Sequence, residues 1–243
     1  MRRIVRIAGT TLVVVGALML VWVVIVWRWQ DPFTAAYTHW KQHQLASSYH
    51  DRFVAYKPAP APRTTISPEL AARVLGQEAR HYRLDSHRGQ AIGRIRVPRL
   101  GLNMILVNGT DESSLEKGPG RDLRTYMPGE GQLIYIAGHR TTYLAPFSHI
   151  EALRPGDSIT LEVPYGTFRY RVFRHVIVPA DDLSVLRSHG REVVALQACH
   201  PRFFASERYI VYGRLTEVEP RGGHAFSPPS TSLAAAPLAA AQG

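Results

Sequence analysis

The sequence predicts a mainly-β domain, a barrel or a sandwich, carried behind one N-terminal transmembrane helix. Short apolar runs follow one another between Gly89 and Glu219, and several of them end at glycine or proline, which is typical of strands and turns. Long amphipathic helices are missing from this interval, which excludes a parallel α/β sheet. The third observation is a long uncharged apolar stretch near the N-terminus.

This N-terminal stretch, Ile7–Trp27, has 21 residues without a charge. At about 1.5 Å per residue it would cross the ~30 Å hydrocarbon core of a bilayer. A cleaved signal peptide is the alternative, but its apolar part is about 7–15 residues long and ends in small residues, whereas Trp22–Trp27 is bulky. Three arginines within the first six residues favour a cytoplasmic N-terminus. We therefore expect residues 1–30 to be a cytoplasmic tip and a cell-membrane anchor, with everything after them outside the cell.

Two flanking segments surround the β domain. Residues 31–88 begin with Asp31-Pro32 and with aromatic residues at helical spacing, which predicts a juxtamembrane helix that packs on itself or on lipid headgroups. The proline-rich stretch at 57–70 predicts a linker. The last residues, 220–243, are of low complexity and are predicted to be disordered. The folded domain is then 89–219.

The charge pattern and the absence of known binding motifs in the sequence restrict the kinds of ligand that we expect. The formal net charge is +10, which suits nucleic acid, an anionic membrane or an acidic polymer. The lysines and arginines are scattered, however, and the sequence has neither zinc-ligand spacing nor a phosphate-binding glycine loop. The adjacent Asp181 and Asp182 lack the spacing of a calcium loop. We therefore expect no nucleic acid, no metal and no cofactor.

The sequence contains one cysteine, Cys199, which is either a buried structural residue or a functional one. Extracellular cysteines usually occur in disulfides, and a lone thiol is open to oxidation unless it is buried or used. Cys199 ends the predicted strand "VVALQAC", His139 ends "LIYIAGH", and Arg208 begins "RYIVYGRL". A thiol, a base and a guanidinium together could carry out acyl transfer. On residue types alone, burial and catalysis both remain open for Cys199.

The sequence motifs around these three residues are more specific than the residue types alone. The blocks "IAGHRTTYLAPFSHIEALRPGD" and "LQACHPRFFASERYIVYGRL" resemble the two signature blocks of the sortase family, the cysteine transpeptidases of Gram-positive cell surfaces. The extended first block is similar to class E sortases of actinobacteria. The resemblance covers about Gly89 to Glu219 and implies a closed eight-stranded sortase-type β-barrel with short helices.

The resemblance also implies roles. Cys199 would be the nucleophile that attacks the Thr–Gly bond of a C-terminal LAXTG- or LPXTG-type sorting signal on a secreted protein. His139 would be the general acid and base, and Arg208 would hold the substrate backbone or the oxyanion. An amine of a peptidoglycan precursor would then release the acyl group from the cysteine.

Three further residues are candidates for substrate contact. The resemblance implies that Tyr143 helps to choose the residue after the signal's leucine; the alternative is an aromatic packed on the barrel. Ala198 stands where most sortases have threonine, so the usual hydroxyl is missing and the oxyanion is left to Arg208 and a backbone N–H, such as that of His200. By strand alternation the side chains of His200 and Arg140 should face away from their catalytic neighbours, and Arg140 is expected to be structural.

Two other functions remain open. One is a pilin-polymerising sortase that uses a protein lysine as the acceptor, because "DPF" at Asp31–Phe33 resembles the lid of such enzymes. Since this tripeptide lies next to the anchor and far ahead of the barrel in sequence, we interpret the likeness as accidental. The other is a catalytically idle, anchored β domain that binds peptides or wall material.

Overall fold

Eight strands form one closed barrel in the computed structural model, which describes residues 2–28, 32–58 and 67–228. Three helices come first, and a short fourth helix follows the second strand. The helices are α1 (Arg2–Arg28), α2 (Pro32–Ala55), α3 (Pro68–Leu84) and α4 (Glu112–Leu115). The strands are β1 (Ala91–Val97), β2 (Leu102–Asn108), β3 (Gly120–Arg121), β4 (Leu133–Ala137), β5 (Ser158–Val163), β6 (Gly166–Pro179), β7 (Val193–His200) and β8 (Glu207–Pro220). Around the barrel their order is β1-β2-β3-β4-β7-β8-β6-β5, which confirms the predicted fold class.

The core of the barrel consists of the side chains that point inward from alternate positions along each strand. In β5, Ile159, Leu161 and Val163 are buried while the residues between them are half-exposed. Such alternation is the pattern of a strand with one face towards the interior. β4 is buried on both faces, because its outer side carries a second apolar cluster with Tyr135 and Tyr212. This covered outer face becomes important below, since β4 and β7 run side by side there.

The helix α1 has 27 residues. Its segment Arg2–Val24 has a mean hydropathy of 2.4, and none of it is buried against the rest of the protein. Within the described residues it is the one helix that is long and apolar enough to span a membrane. Its position agrees with the predicted anchor.

The helix α2 packs on the barrel, which differs from the expectation that it packs on itself or on headgroups. The Gln42 amide accepts from Ile105 N (2.7 Å) and donates to Ile105 O (3.1 Å) and Lys117 O (2.7 Å). The Thr38 hydroxyl donates to Glu116 O (2.8 Å). Polar residues four positions apart share one helix face, and here that face satisfies backbone groups of the barrel. The aromatic spacing that we followed in the sequence marked a different face.

Two segments lie partly outside the described residues: 59–66 of the predicted linker and 229–243 of the predicted tail. The described start of the tail differs from the expectation of disorder. Phe226 forms a β-bridge with Val218 and packs on the main core. One aromatic side chain thus extends the folded domain beyond the predicted boundary, because it has apolar surface to cover.

The buried carboxylate of Glu192 predicts a pH dependence of stability. It accepts hydrogen bonds from Gly129 N (2.9 Å), Gly131 N (2.9 Å) and the Tyr170 hydroxyl (2.7 Å). Burial nevertheless raises the pKa of Glu192 to about 7. The folded protein therefore binds the proton of the Glu192 carboxyl more tightly than the unfolded chain does. This proton binding stabilises the fold fully below the unfolded pKa of about 4.5, and the stabilisation is lost as the pH rises through about 7.

We therefore expect the free energy of unfolding to fall between about pH 5 and pH 7.5, by a contribution on the order of 2 kcal/mol. Urea titrations of the detergent-solubilised protein across this range would measure it. Glu192→Gln should flatten this part of the profile, because the amide oxygen can still accept from Gly129 N and the Tyr170 hydroxyl but no longer titrates. An equally steep decline in the variant would assign the effect to another group.

Candidate active site

Three neighbouring strands bring the predicted catalytic residues to one end of the barrel. β4 and β7 are parallel and in register, and the Gly138 N–H extends this pairing by donating to Gln197 O (3.0 Å). His139 and Cys199 follow one and two residues later, so they are neighbours across the two strands. β8 runs antiparallel to β7, with Arg208 directly opposite Cys199. Residues opposite one another in a sheet have Cβ atoms about 4.5–5.5 Å apart, so Arg208 is adjacent to the thiol.

A groove lies beside Cys199 on the outer face of β4 and β7, although its lining does not include Cys199 itself. Its volume is about 150 Å³, and its floor includes Tyr135, Ala137 and Gln197. Arg208 lines the same groove. Cys199 has the same parity as Gln197 and therefore points to the same outer face, where it is partly exposed. The walls come from the neighbouring loops: Thr110, Asp122, Arg124, Ala180, Asp182, Leu183, Val185 and Leu186.

His139 is set up as a neutral base. Burial lowers the pKa of His139, and the nearby carboxylates of Glu116 and Glu112 oppose this effect without cancelling it. Its Nε2 atom is buried and has no hydrogen-bond partner among the described residues. A neutral imidazole whose ring nitrogen is unoccupied could accept a proton from a thiol or deliver one to a leaving amine.

Tyr143 holds the imidazole from one side. The two ring centroids are 5.0 Å apart, and the Tyr143 hydroxyl donates to the carboxylate of Glu116 (3.1 Å). The Tyr143 N–H donates to the Thr34 hydroxyl of α2 (3.2 Å). Its φ of 51° is left-handed, an uncommon conformation for a residue with a large side chain. The structure thus gives Tyr143 a contact with His139, while its role in substrate choice stays a prediction.

The guanidinium of Arg208 folds over the loop between β7 and β8. Its Nη1 donates to Ala205 O (2.8 Å) and Glu207 O (2.9 Å). These bonds orient the planar group beside the groove. A guanidinium has five N–H donors in a fixed fork, so the two bonds to the loop leave capacity for a substrate carbonyl or an oxyanion.

None of the three predicted substrate-contact residues lines the groove, and for two of them the direction of the side chain explains why. Ala198 is completely buried and belongs to the barrel core. Because strand residues alternate, a side chain directly before the outward-facing Cys199 must point inward. His200 also points away from Cys199, towards Arg140 and the ring of Tyr209, whose centroid is 5.8 Å away. A role in substrate contact remains only for their backbone groups.

Arg140 is more than the structural residue that we expected from its sequence. Its side chain is only 7% exposed and connects the ends of the two catalytic strands. Nη1 donates to Cys199 O (3.0 Å) and lies 2.9 Å from His200 Nδ1, and Nη2 donates to the Glu151 carboxylate (2.8 Å). Since a guanidinium can only donate, His200 Nδ1 must be the acceptor. We call this Arg140-centred set the clamp; it ties the residue after His139 to the backbone of Cys199.

Removing the clamp is expected to slow catalysis. Arg140→Met leaves the Cys199 carbonyl without its charged donor, and such hydrogen bonds contribute about 1.5–3 kcal/mol, or roughly 10- to 100-fold in rate if the thiol loses its position. We expect kcat to fall while KM changes little, since Arg140 lies outside the groove. Arg140→Lys should recover only part of the rate, because it lacks the fork.

Arg169→Met is the matched control, because Arg169 also binds glutamates on the barrel, Glu217 at 2.8 Å and Glu219 at 3.0 Å, but far from Cys199. Peptide-cleavage kinetics and unfolding titrations of all three variants would be compared. A loss of kcat that is equal in the Arg169 and Arg140 variants would assign the effect to general destabilisation.

A closed barrel with one cysteine between a histidine and an arginine defines a class of protein, one equipped for cysteine-dependent acyl transfer. The sortase domain family matches residues 95–216. The chain belongs to the sortase family, whose members are cysteine transpeptidases.

Relatives support this assignment. Sortase D of Bacillus subtilis is 36% identical over 130 residues, which cover 52% of this chain and 64% of that protein. Sortase SrtE1 of Streptomyces coelicolor is 26% identical over 233 residues, which cover 89% of this chain and 58% of that protein. The chain thus spans less than two thirds of the length of these curated relatives.

Solved structures of sortases are also similar to this chain. The crystal structure of sortase E1 from Streptomyces coelicolor, which has a tripeptide in its active site, has a TM-score of 0.52 at 27% identity and covers 55% of this chain and 93% of that one. The SrtA sortase from Actinomyces oris has a TM-score of 0.53 at 26% identity and covers 58% of this chain and 88% of that one.

Proposed function

We propose that the chain is a membrane-anchored sortase of the class E type. It cleaves a C-terminal LAXTG- or LPXTG-type sorting signal between threonine and glycine and joins the protein to an amine of a peptidoglycan precursor. The observation that carries this proposal is that β4, β7 and β8 are adjacent, so that Cys199 lies between His139, which follows β4, and Arg208, which lines the groove.

The reaction has two acyl transfers. The Cys199 thiol gives its proton to His139, and the sulfur attacks the threonine carbonyl. Arg208 donates hydrogen bonds to the oxyanion that forms. The threonine–glycine C–N bond then breaks, and His139 returns the proton to the departing glycine amine. An acceptor amine attacks the thioester next and loses a proton to His139. The C–S bond breaks, and His139 passes this proton to the sulfur, so that Cys199 leaves as a thiol.

The groove suits a short extended peptide. Its wall from the β6–β7 loop includes Leu183, Val185 and Leu186, which could cover the apolar leucine of a signal. Its floor residue Ala137 leaves room for a backbone to approach β4. A tripeptide lies in the active site of the Streptomyces coelicolor sortase E1 structure, and that protein is 27% identical to this one, which supports a peptide ligand here.

The localisation follows from α1. With its three early arginines in the cytoplasm, α1 would hold the barrel at the outer surface of the cell membrane. Secreted proteins that carry a sorting signal and wall precursors both meet the enzyme there. The N-terminal helix and the proposed acceptor are thus consistent with one location.

One observation keeps the pilin-polymerising alternative in view. The "DPF" tripeptide lies far ahead of the barrel in sequence, yet α2 starts at Pro32 and its Thr34 contacts Tyr143 beside His139. Its distance along the chain is therefore no argument against a lid. Asp31 lies outside the described residues, and the side chains of Pro32 and Phe33 are not described.

One assay tests these functions together. The full-length protein in detergent micelles is incubated with fluorogenic LAXTG and LPXTG peptides and either an amine-ended wall peptide or a lysine-bearing protein. We expect cleavage at the threonine–glycine bond and a product joined to the wall peptide. Transfer to the protein lysine alone would instead support the pilin type. No cleavage, together with a Cys199 that fails to react with a vinyl sulfone, would support an idle binding domain.

A further inference from the structure

The helix α2 runs along the whole barrel and begins at its catalytic end. Its first turn contacts the loop after His139, where Thr34 accepts from Tyr143 N (3.2 Å). Its last turn lies at the opposite end, where Arg221 donates to Tyr56 O (3.4 Å), just beyond the helix. Arg221 follows β8, whose far end pairs with the start of β6. The chain therefore leaves the α1 helix and reaches the barrel at its catalytic end.

The length of the connection limits the distance from the membrane. α1 ends at Arg28 and α2 begins at Pro32, so four peptide steps of at most about 3.6 Å separate them, or about 14 Å. Two further helical residues to Thr34 add about 3 Å. The headgroup layer is itself about 5–8 Å deep on each side of the bilayer. If α1 spans the membrane, the catalytic end of the barrel lies near the headgroups.

This end carries apolar side chains that nothing in the described protein covers. Phe203 is 62% exposed and Phe204 is 81% exposed. Both lie on the loop between β7 and β8, between Cys199 and Arg208. Phe203 has a left-handed φ of 77°, which is an outlier for a bulky residue, and the loop is held by the Phe204 N–H donating to Pro201 O (3.2 Å).

A second aromatic group lies on the outer face of α2, close to the same end. Tyr37 is 39% exposed and Trp40 is 54% exposed. The Lys41 ammonium lies 4.5 Å from the Trp40 ring and 5.5 Å from the Tyr37 ring. On the loop, the Arg202 guanidinium is 5.9 Å from the Phe203 ring. Aromatic rings paired with cations are typical of the interface between a bilayer and water.

We propose that the catalytic end of the barrel rests on the outer surface of an anionic bilayer, with Phe203 and Phe204 inserted among the headgroups. Lys41 and Arg202 contact lipid phosphates beside them. The bilayer is favoured over a protein partner because α1 holds this end at the membrane whatever else binds. The groove beside Cys199 then opens at headgroup level, where it receives sorting signals that are still tethered to the membrane. This inference rests on the proposed anchoring by α1.

The lone cysteine makes the contact measurable. In full-length Cys199→Ala protein, Phe204→Cys is labelled with an environment-sensitive nitrobenzoxadiazole dye and placed in nanodiscs of anionic phospholipid. His224→Cys is the control, since His224 is exposed and follows the opposite end of β8. We expect lipids with a nitroxide near the headgroup to quench the dye at 204 several-fold more than at 224. Equal quenching at the two positions would overturn the proposal, as would a dye at 204 that responds to a signal peptide and not to the nitroxide.

A rate measurement gives the second test. The Phe203→Ser/Phe204→Ser variant should cleave a soluble signal peptide in detergent at the wild-type rate but lose several-fold on a lipid-tethered peptide in vesicles. Leu84→Ser, at an exposed leucine on α3, should change neither rate. An unchanged rate on the tethered peptide would overturn the proposal. If the wild-type protein is extracted from vesicles by alkaline carbonate, anchoring by α1 has failed, and that result is distinct from a failure of the aromatic contact.

Discussion

Replacing Cys199 with alanine is expected to lower the cleavage of a signal peptide by at least about 10³-fold, because the replaced sulfur is the atom that we propose forms the thioester. Cys199 is the only cysteine, so no second thiol in the chain can substitute for it. Its side chain is partly exposed, and its loss should change the free energy of unfolding by less than about 1 kcal/mol. Cleavage by the variant at the wild-type rate would remove Cys199 from the mechanism.

Mass spectrometry makes the same prediction more specific. Wild-type protein that is quenched in acid during turnover should carry the mass of the acyl part of the peptide, and the alanine variant should not. Cys199→Ser separates the nucleophile from its position, because a hydroxyl at the same place keeps the shape but is a much weaker nucleophile at neutral pH. We expect it to be as slow as the alanine variant. Full activity with serine would point to a general-base mechanism without a thiolate.

The sequence predicted the barrel and the three catalytic candidates because both depend on local signals. Apolar alternation and turn residues mark strands, and a polar residue at the end of each of β4 and β7 marks a rim. Cys199, His139 and Arg208 all lie at such positions. Their meeting at one end required the register of three strands, which no single segment contains. The family resemblance implied that the three residues act together, but it did not state the register.

The features that the sequence analysis missed depend on contacts between distant segments. Arg140 follows His139 directly, but its bond to Cys199 O crosses between strands that are about 60 residues apart in sequence. Thr34 contacts Tyr143 across 109 residues. Alternation alone was enough to show that Ala198 points into the core, and the resemblance led us to treat it as a substrate contact.

These contacts connect the helix α2 to His139. α2 holds Tyr143 through Thr34 and holds the carbonyl of Glu116 through Thr38, and Tyr143 and Glu116 bind each other. Both residues also act on His139, one through its ring and one through its charge. The helix that follows α1 therefore supports the two residues, Tyr143 and Glu116, that act on the imidazole. Substitutions at Tyr143 or Glu116 should therefore change the pH dependence of catalysis more than they change peptide binding.

His139→Gln is expected to lower kcat/KM by about 10²- to 10⁴-fold, which is the usual contribution of a positioned acid and base. The amide is close in size to the imidazole but cannot take the thiol proton. In the wild type, burial lowers the pKa of His139 from its ordinary value of 6.5, so the ring stays neutral at pH 7. Protonation stops it from acting as a base, and kcat/KM should therefore fall on the acid side, at a pH below the ordinary histidine value.

Glu116→Gln is the matched test of this assignment. The amide oxygen can still accept from the Tyr143 hydroxyl, so the geometry is kept, but the negative charge that raises the pKa of His139 is gone. The pKa should fall further, and the acid limb of the kcat/KM profile should move to lower pH without a large loss at pH 7. Two results would mean that Glu116 does not act on the imidazole through its charge. One is an acid limb that moves to higher pH in Glu116→Gln. The other is an acid limb that stays in place in Glu116→Gln although it disappears in His139→Gln. A limb of unchanged midpoint in His139→Gln would assign it to a group other than His139.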